Sequence, residues 1–303
     1  MDVRFWGMRG GVPVCNSHTQ RYGGNTACVE VRCKDQILIL DAGSGLINLG
    51  AVLLEEFRDR PFYAYLFLTH THWDHTMGIP FFAPLYKYAG KLTVYGIAGS
   101  EKSILGLFGV RDAADYQPVP MGKPIAEIEF RPLEEKMRIG QAEVTYYYLN
   151  HPGLTIGYRV ELDGISLAYL TDNEPYRRSN LELVKEPDDL SYLARIDREI
   201  VQFAGKADLI IADAAYSEEE SGESFKEGHS SVGDALQVAL SAQCRMLVLF
   251  HHPPQRTDDQ IDILAEKCRA RLTALHSKMQ ILTPVEGQWV QLRRAKPSDE
   301  IIS

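Results

Sequence analysis

Three histidines and an aspartate crowd six positions, His70-Thr71-His72-Trp73-Asp74-His75, directly behind the apolar run "YLFLT". Imidazole nitrogens and carboxylate oxygens are the donor set of a transition-metal site and favour zinc, or manganese or iron, over magnesium and calcium. A loop at the end of a buried strand lets ligands at i and i+2 converge on one metal. His70 and His72 can share one ion, leaving Asp74 and His75 to face a second. Three further groups of ligand type also follow apolar runs: His151 after "VTYYYL", Asp172 after "ISLAYLT", and His251 with His252 after "RMLVLF". Each alone is an ordinary turn residue. Together they complete the number of donors that a two-metal centre needs.

These residues have to be positioned by strands that end at one edge. Strand-like segments dominate the first 170 residues, among them "DVRFW", "CVEVRC", "QILIL", "KLTVYG", "AEVTYYYL" and "TIGYRVEL", short, β-branched or aromatic, and bounded by Gly or Asp turns. Strands then alternate with helices. "DDLSYLARIDREIVQFAG" reads as a helix ending at Gly205, "ADLIIADA" as a strand, and "SSVGDALQVALSA" as a serine-capped helix. "TDDQIDILAEKCRARLTALH" opens on a Thr-x-x-Gln capping box. The pattern predicts two sheets packed together with helices outside, in one domain over 1–294, with a polar tail at 295–303. Segment 97–124, of weak periodicity, is read as a surface arm or lid.

The chain has 303 residues, a formal net charge of -9 and a sequence pI near 5.5. An acidic balance argues against a general nucleic-acid-binding surface and leaves room for a small anionic substrate at a local cationic site. Five cysteines without a CxxC pair read as reduced thiols, and Cys28 and Cys33 fall on opposite strand faces. No secretory leader and no bilayer-length apolar run are visible, so a cytoplasmic location without membrane contact is expected.

In order, Asp41-Ala-Gly after "QILIL", the H-x-H-x-D-H cluster, "NHPG", "TDNE" and "LFHHPP" resemble the five motifs of the metallo-β-lactamase superfamily. The resemblance spans about residues 1–292 and implies an αβ/βα four-layer sandwich with the metals at one edge between the sheets. It implies that His70, His72 and His151 hold one metal and that Asp74, His75 and His251 hold the other. Asp172 would bridge them, Asp41 would be a buried shaping group, and His251 is preferred to His252 because it directly ends its strand. Two zinc ions are the expected cofactors. Redox di-iron members of this fold carry a carboxylate where His72 stands, so the histidine favours hydrolysis. A metal pair suits phosphodiesters because it binds phosphoryl oxygens and generates hydroxide near neutral pH. Asp74 could orient that nucleophile as well as ligate.

"ADLIIADAAYSEEE" and "GHSSVGDALQVA" place Asp213 at a strand end and His229 before a helix. They look like the "HEAT" and "HST" segments of transfer-RNA 3′-processing endonucleases and related phosphodiesterases, with Ala212-Asp213 in place of His-Glu. The resemblance implies that Asp213 orients His229 as the acid for the leaving alkoxide. The opening "VRFWGMRGGVP…RYGGNTACVEV" and "HWDHTMGIPFF" resemble the branch that hydrolyses cyclic nucleotides, including the anti-Pycsar phosphodiesterases. There the glycines would let backbone approach the metal edge and Arg9 could meet a phosphate. Trp73 is read as packing at the site rim, and His18 and His276 as surface residues.

The expectation is a dinuclear zinc phosphodiesterase acting on small cyclic phosphodiesters, foremost 3′,5′-cyclic mononucleotides, and a homodimer by resemblance. The alternatives are a transfer-RNA 3′ endonuclease, another hydrolase of the same fold, and a non-catalytic nucleotide or metal sensor.

Overall fold

The computed structural model describes residues 1–58, 60–108, 124–179, 187–220 and 228–294. The expected tail at 295–303 lies outside them, as does most of the expected arm, residues 109–123.

Two seven-stranded sheets face each other. The first holds β1 (Asp2–Gly7), β2 (Cys28–Cys33), β3 (Gln36–Leu40), β4 (Phe62–Phe67), β5 (Gly90–Tyr95), β6 (Glu127–Arg131) and β14 (Trp289–Gln291) in the order β14-β1-β2-β3-β4-β5-β6. The second holds β7 (Met137–Ile139), β8 (Ala142–Leu149), β9 (Thr155–Leu162), β10 (Ile165–Leu170), β11 (Leu209–Asp213), β12 (Met246–Phe250) and β13 (Gln280–Leu282) in the order β13-β12-β11-β10-β9-β8-β7. Both sheets are mixed: β14-β1-β2-β3 and β7-β8-β9-β10 pair antiparallel, while β3-β4-β5-β6 and β10-β11-β12-β13 pair parallel. Because β14 returns to the first sheet beside β1, the two ends of the described chain close the same layer.

The two-residue period of a strand sends alternate side chains to opposite faces, and three separate cores result. Leu38 and Leu40 of β3, Leu209 and Ile211 of β11, and Val248 and Phe250 of β12 meet between the sheets. Ile37 and Ile39 instead face outward against α1 (Gly45–Glu56), where Leu46, Leu49 and Leu53 receive them. Ile210, Ala212, Leu247 and Leu249 face the other outer layer, formed by α6 (Pro187–Phe203), α7 (Val232–Ser241) and α8 (Asp258–Ala274). Covering both faces explains why "ISLAYL", "LIIAD" and "MLVLF" are almost wholly apolar. The result is the four-layer sandwich. Cys28 lies in the outer core and Cys33 between the sheets, and all five cysteines are free thiols.

The smaller helices are α2 (Trp73–Thr76), a 3-10 turn at Ile79–Phe81, α3 (Pro84–Lys87), α4 (Ser100–Phe108) and α5 (Tyr176–Ser179). The described part of the expected arm is helical over Ser100–Phe108. Capping boxes open both long C-terminal helices, Ser231 with Asp234 at α7 and Thr257 with Gln260 at α8. Each cap satisfies backbone N–H groups that the helix leaves unpaired. Among the described residues, no helix is long and apolar enough to cross a membrane.

Candidate metal centre

β3, β4, β8, β10, β11 and β12 all end at one edge of the sandwich, and each delivers a polar group there. Asp41, Asp172 and His251, which follow β3, β10 and β12, have positive φ of 58°, 53° and 60°. The left-handed conformation costs a non-glycine residue about 1 kcal/mol or more, and such strain persists where surrounding contacts over-determine it. In this fold it turns the chain sharply at the strand end, so the side chain projects over the edge rather than along the sheet.

His70, His72, His151 and Asp172 form one group, and Asp74, His75, Asp172 and His251 a second; within each, the ligand-type atoms lie within 4.8 Å of one another. Asp172 belongs to both. Its Oδ2 lies 3.3 Å from His75 Nε2, 3.5 Å from His70 Nε2 and 3.6 Å from His151 Nε2, and its Oδ1 lies 3.3 Å from His251 Nε2. His251 Nε2 also lies 3.1 Å from Asp74 Oδ2, and His72 Nδ1 3.1 Å from His151 Nε2. All seven candidate ligands expected from the sequence therefore share one edge, and His72 alone among them is exposed.

Most of these rings are held from behind, leaving one nitrogen aimed inward. His75 Nδ1 is 2.8 Å from Asp41 Oδ2, His70 Nδ1 is 3.0 Å from Thr69 Oγ1, and His151 Nδ1 is 2.8 Å from Gly228 O. Asp41 also accepts from Thr69 N at 2.8 Å and Tyr169 Oη at 2.9 Å, so it ties β3, β4 and β10 together. Such outer partners set tautomer and orientation in metal sites.

The electrostatics match a site built for cations. Burial and the neighbouring His75 hold His70 well below the usual histidine range. Burial also acts on His75, but Asp172, Asp41 and Asp74 together push it well above that range. Burial raises Asp172 and Asp74 in turn, and the surrounding histidines overcome it, holding both carboxylates below their ordinary values. His70 Nε2 is buried without a hydrogen-bond partner among the described residues. A buried imidazole nitrogen facing a carboxylate without a hydrogen bond is what a metal-ligand position presents. A donor set of histidines and aspartates sharing one carboxylate fits a dinuclear metal site.

His252 points elsewhere. It is fully buried, and its Nδ1 has no hydrogen-bond partner among the described residues. Its carbonyl and N–H instead stitch the first loop to the second sheet, accepting from Gly10 N at 2.9 Å and donating to Met8 O at 3.0 Å. That loop reaches the cluster through backbone, as its glycines suggest. Gly11 N donates to Asp74 Oδ2 at 2.7 Å. A Cβ on Gly10 would sit 2.2 Å from His251 Cε1. Gly10→Ala is therefore expected to displace the His251 ring and weaken metal binding about 10–100-fold, measured by competition with a chromophoric chelator. Unchanged metal affinity would show that the ring tolerates the shift.

His229 sits between the two groups. Its ring centroid is 4.7 Å from that of His251 and 4.8 Å from that of His151, and its Nδ1 lies 2.9 Å from Asp213 Oδ2. Asp213 is further fixed by Asn173 N at 3.0 Å, Ser230 N at 3.2 Å and Ala215 N at 3.0 Å. Burial opposes a proton on His229, but Asp213, aided by Asp172 and Asp74, raises it to about 9.

Two sequence readings are corrected. Arg9 does not face the site: it is fully buried, donating to Gly23 O and Arg256 O and paired with Asp258 at 3.3 Å. A guanidinium among glycine turns looks surface-bound in sequence, whereas here the turns wrap around it. Trp73 does not pack at the rim, since it is 73% exposed. It occupies the first turn of α2, from which Asp74, His75 and Thr76 take the buried face. Sequence reading also missed Thr69, Asn173 and Tyr169 as supports, because nothing in their local spacing points to a partner on another strand.

A family model described as a beta-lactamase superfamily domain matches residues 38–252. The chain is 26% identical over 300 residues to a protein named ribonuclease Z from Thermococcus gammatolerans, covering 88% of this chain and 91% of that one. A ribonuclease Z from Methanosarcina mazei is 24% identical over 293 residues, with 87% and 91% covered. Among solved structures, human short-form tRNase Z matches at TM-score 0.60 and 17% identity, covering 97% of this chain and all of its own. A diphosphatase from the PhnP family matches at TM-score 0.62 and 15% identity, with 96% and 98% covered.

Proposed function

This chain belongs to the beta-lactamase superfamily and is a metal-dependent hydrolase, and on that premise we propose that it is a phosphodiesterase that expels a 3′ oxygen from phosphorus. The observation that carries the reading is the His229–Asp213 pair, 2.9 Å apart and stacked against His251 of the centre. A phosphodiester with an alkoxide leaving group needs a positioned acid, whereas a thioester, whose thiolate departs readily, has less call for one.

His70, His72 and His151 would hold one ion, and Asp74, His75 and His251 the other, with Asp172 shared. When bound, the pair supplies Lewis acidity toward phosphoryl oxygens and a nucleophile near neutral pH, and its positive charge lowers the proton affinity of neighbouring groups. The remaining work falls to the chain. Asp41 and Thr69 hold the His75 and His70 rings in place. Gly11 N and His251 fix one oxygen of Asp74. His229 keeps a proton at Nε2 while Asp213 accepts from Nδ1, and it delivers that proton to the departing oxygen.

Ribonuclease Z-like cleavage of a 3′-extended RNA is the substrate reading that the relatives support. The second reading, a small 3′,5′-cyclic mononucleotide, is favoured by the net charge of -9, which suits a compact anion better than a long polyanion. Purified protein would be offered a transfer-RNA precursor with a 3′ trailer and, separately, cyclic AMP, GMP, CMP and UMP, with and without chelator. Chelator-sensitive cleavage leaving a 3′-hydroxyl on the RNA selects the first reading, and ring opening to a 5′-monophosphate the second. Neither activity would sink the proposal. Zinc as the metal and a homodimer belong to the same proposal, and elemental analysis and sedimentation velocity test them.

A further inference from the structure

We propose that Arg256 is the positioning residue that holds the His229–Asp213 pair against the metal centre, an inference that rests on the acid reading above. The two members of that pair are sixteen positions apart in the chain, yet they must meet within hydrogen-bond distance over one particular edge. An error of about 1 Å in such a placement costs on the order of a hundredfold in rate. Something has to fix the segment that carries them relative to His251.

Arg256 makes that link. It lies five positions beyond His251, in the turn before α8, where its N–H donates to Pro253 O at 3.0 Å. Its side chain is buried and reaches across to the other segment with both ends of its fork. Nη1 donates to Ala214 O at 3.0 Å, and Nη2 to Glu220 Oε2 at 2.6 Å. Ala214 directly follows Asp213, and its own N–H donates to Phe250 O at 2.9 Å, so this peptide is gripped from both sides by the strand and turn that carry His251. With Ala214 fixed, Ala215 N reaches Asp213 Oδ1 and leaves Oδ2 for His229. The second grip, on Glu220, lies between Asp213 and His229 in the chain.

Arg256 is in turn held by the first loop. Its carbonyl accepts from Arg9 Nη1, and Arg9 is anchored on Asp258 and Gly23 O. The same loop places Gly10 and Gly11 against His251 and Asp74. One buried network thus joins the loop over the metal edge, the turn after His251 and the turn after Asp213. A planar fork that spans a carbonyl and a carboxylate sets their separation, which a lysine ammonium does not. A guanidinium buried with one carboxylate partner that is itself half exposed is a poor device for stability alone, given its desolvation cost.

The test uses metal-loaded full-length protein and two substrates. One is the natural-type diester that the assay above shows to be cleaved; the other is bis(4-nitrophenyl) phosphate, whose phenolate departs without an acid. Arg256→Gln is expected to lower kcat about 10–100-fold on the first, with KM and the rate on the second within about threefold. Arg256→Lys should restore part of the loss. Equal losses on both substrates, or no loss, would overturn the assignment. If Arg256→Gln fails to fold, Glu220→Gln carries the test, with the same selectivity expected at smaller size and its absence counting against the role. His229→Ala is run in parallel. If that variant shows no leaving-group dependence, the acid reading itself fails; if it does and Arg256→Gln does not, only the positioning role fails.

Discussion

In Asp172→Ala, bound metal is expected to fall to at most one ion per chain, and phosphodiester hydrolysis to fall by about a thousandfold or more, several kcal/mol of transition-state stabilisation. The geometry makes this the most damaging single change. Asp172 is the one carboxylate common to both groups of candidate ligands, with four imidazole nitrogens within 3.6 Å of its two oxygens. Removing it takes a donor from each half at once. It also leaves His70, His75, His151 and His251 facing one another without the negative charge that reconciles them, so an ion would meet a looser and more repulsive site. Elemental analysis and a steady-state assay check the result. Retention of two ions at normal affinity would remove Asp172 from the ligand set, and with it the shared-carboxylate arrangement.

The second large effect concerns His229. His229→Ala should retain both metals but lose about 10²–10⁴-fold in kcat on substrates that release a 3′ alkoxide. On bis(4-nitrophenyl) phosphate the loss should stay within a few fold. The contrast follows from position: the ring touches those of His151 and His251 without belonging to either of the two groups that share Asp172, and Asp213 holds its other nitrogen. Asp213→Asn should follow in the same direction, because an amide can present a donor to Nδ1 and favour the wrong tautomer. A His229→Ala enzyme equally impaired on both substrates would show that the histidine shapes the site rather than feeding the leaving group. One impaired on neither would return thioester substrates to consideration.

Much of this was legible in the residues. The H-x-H-x-D-H cluster names a metal by composition alone, since imidazole and carboxylate at such density have few other uses behind a buried strand. The strand-terminal positions of His151, Asp172 and His251 follow from apolar runs that stop one or two residues before them. Those runs are readable because strands covered on both faces tolerate almost no polar residue. The capping boxes of α7 and α8 are equally local and equally readable.

Beyond the groupings that the resemblance implied, contacts between segments distant in the chain stayed hidden. Arg9 and Trp73 have types and neighbours that suggest a phosphate contact and a packed ring, yet the fold buries the first and exposes the second. Asp41, Thr69 and Tyr169 converge from three strands, and no spacing announces that. The preference for His251 over His252 is a matter of backbone sign: a φ of 60° at His251 sends that ring over the edge while its neighbour turns into the core. Sequence by itself determined the donor chemistry, the strand ends that carry it and the layered architecture, because these depend on residue type and on periods of two and 3.6. The resemblance implied that Asp172 is shared and that Asp213 backs His229; tertiary structure supplied the distances of both and alone decided that Arg256 ties them to His251. Those are distances between strands, set by packing and hydrogen bonding across the whole sandwich rather than by any stretch of chain.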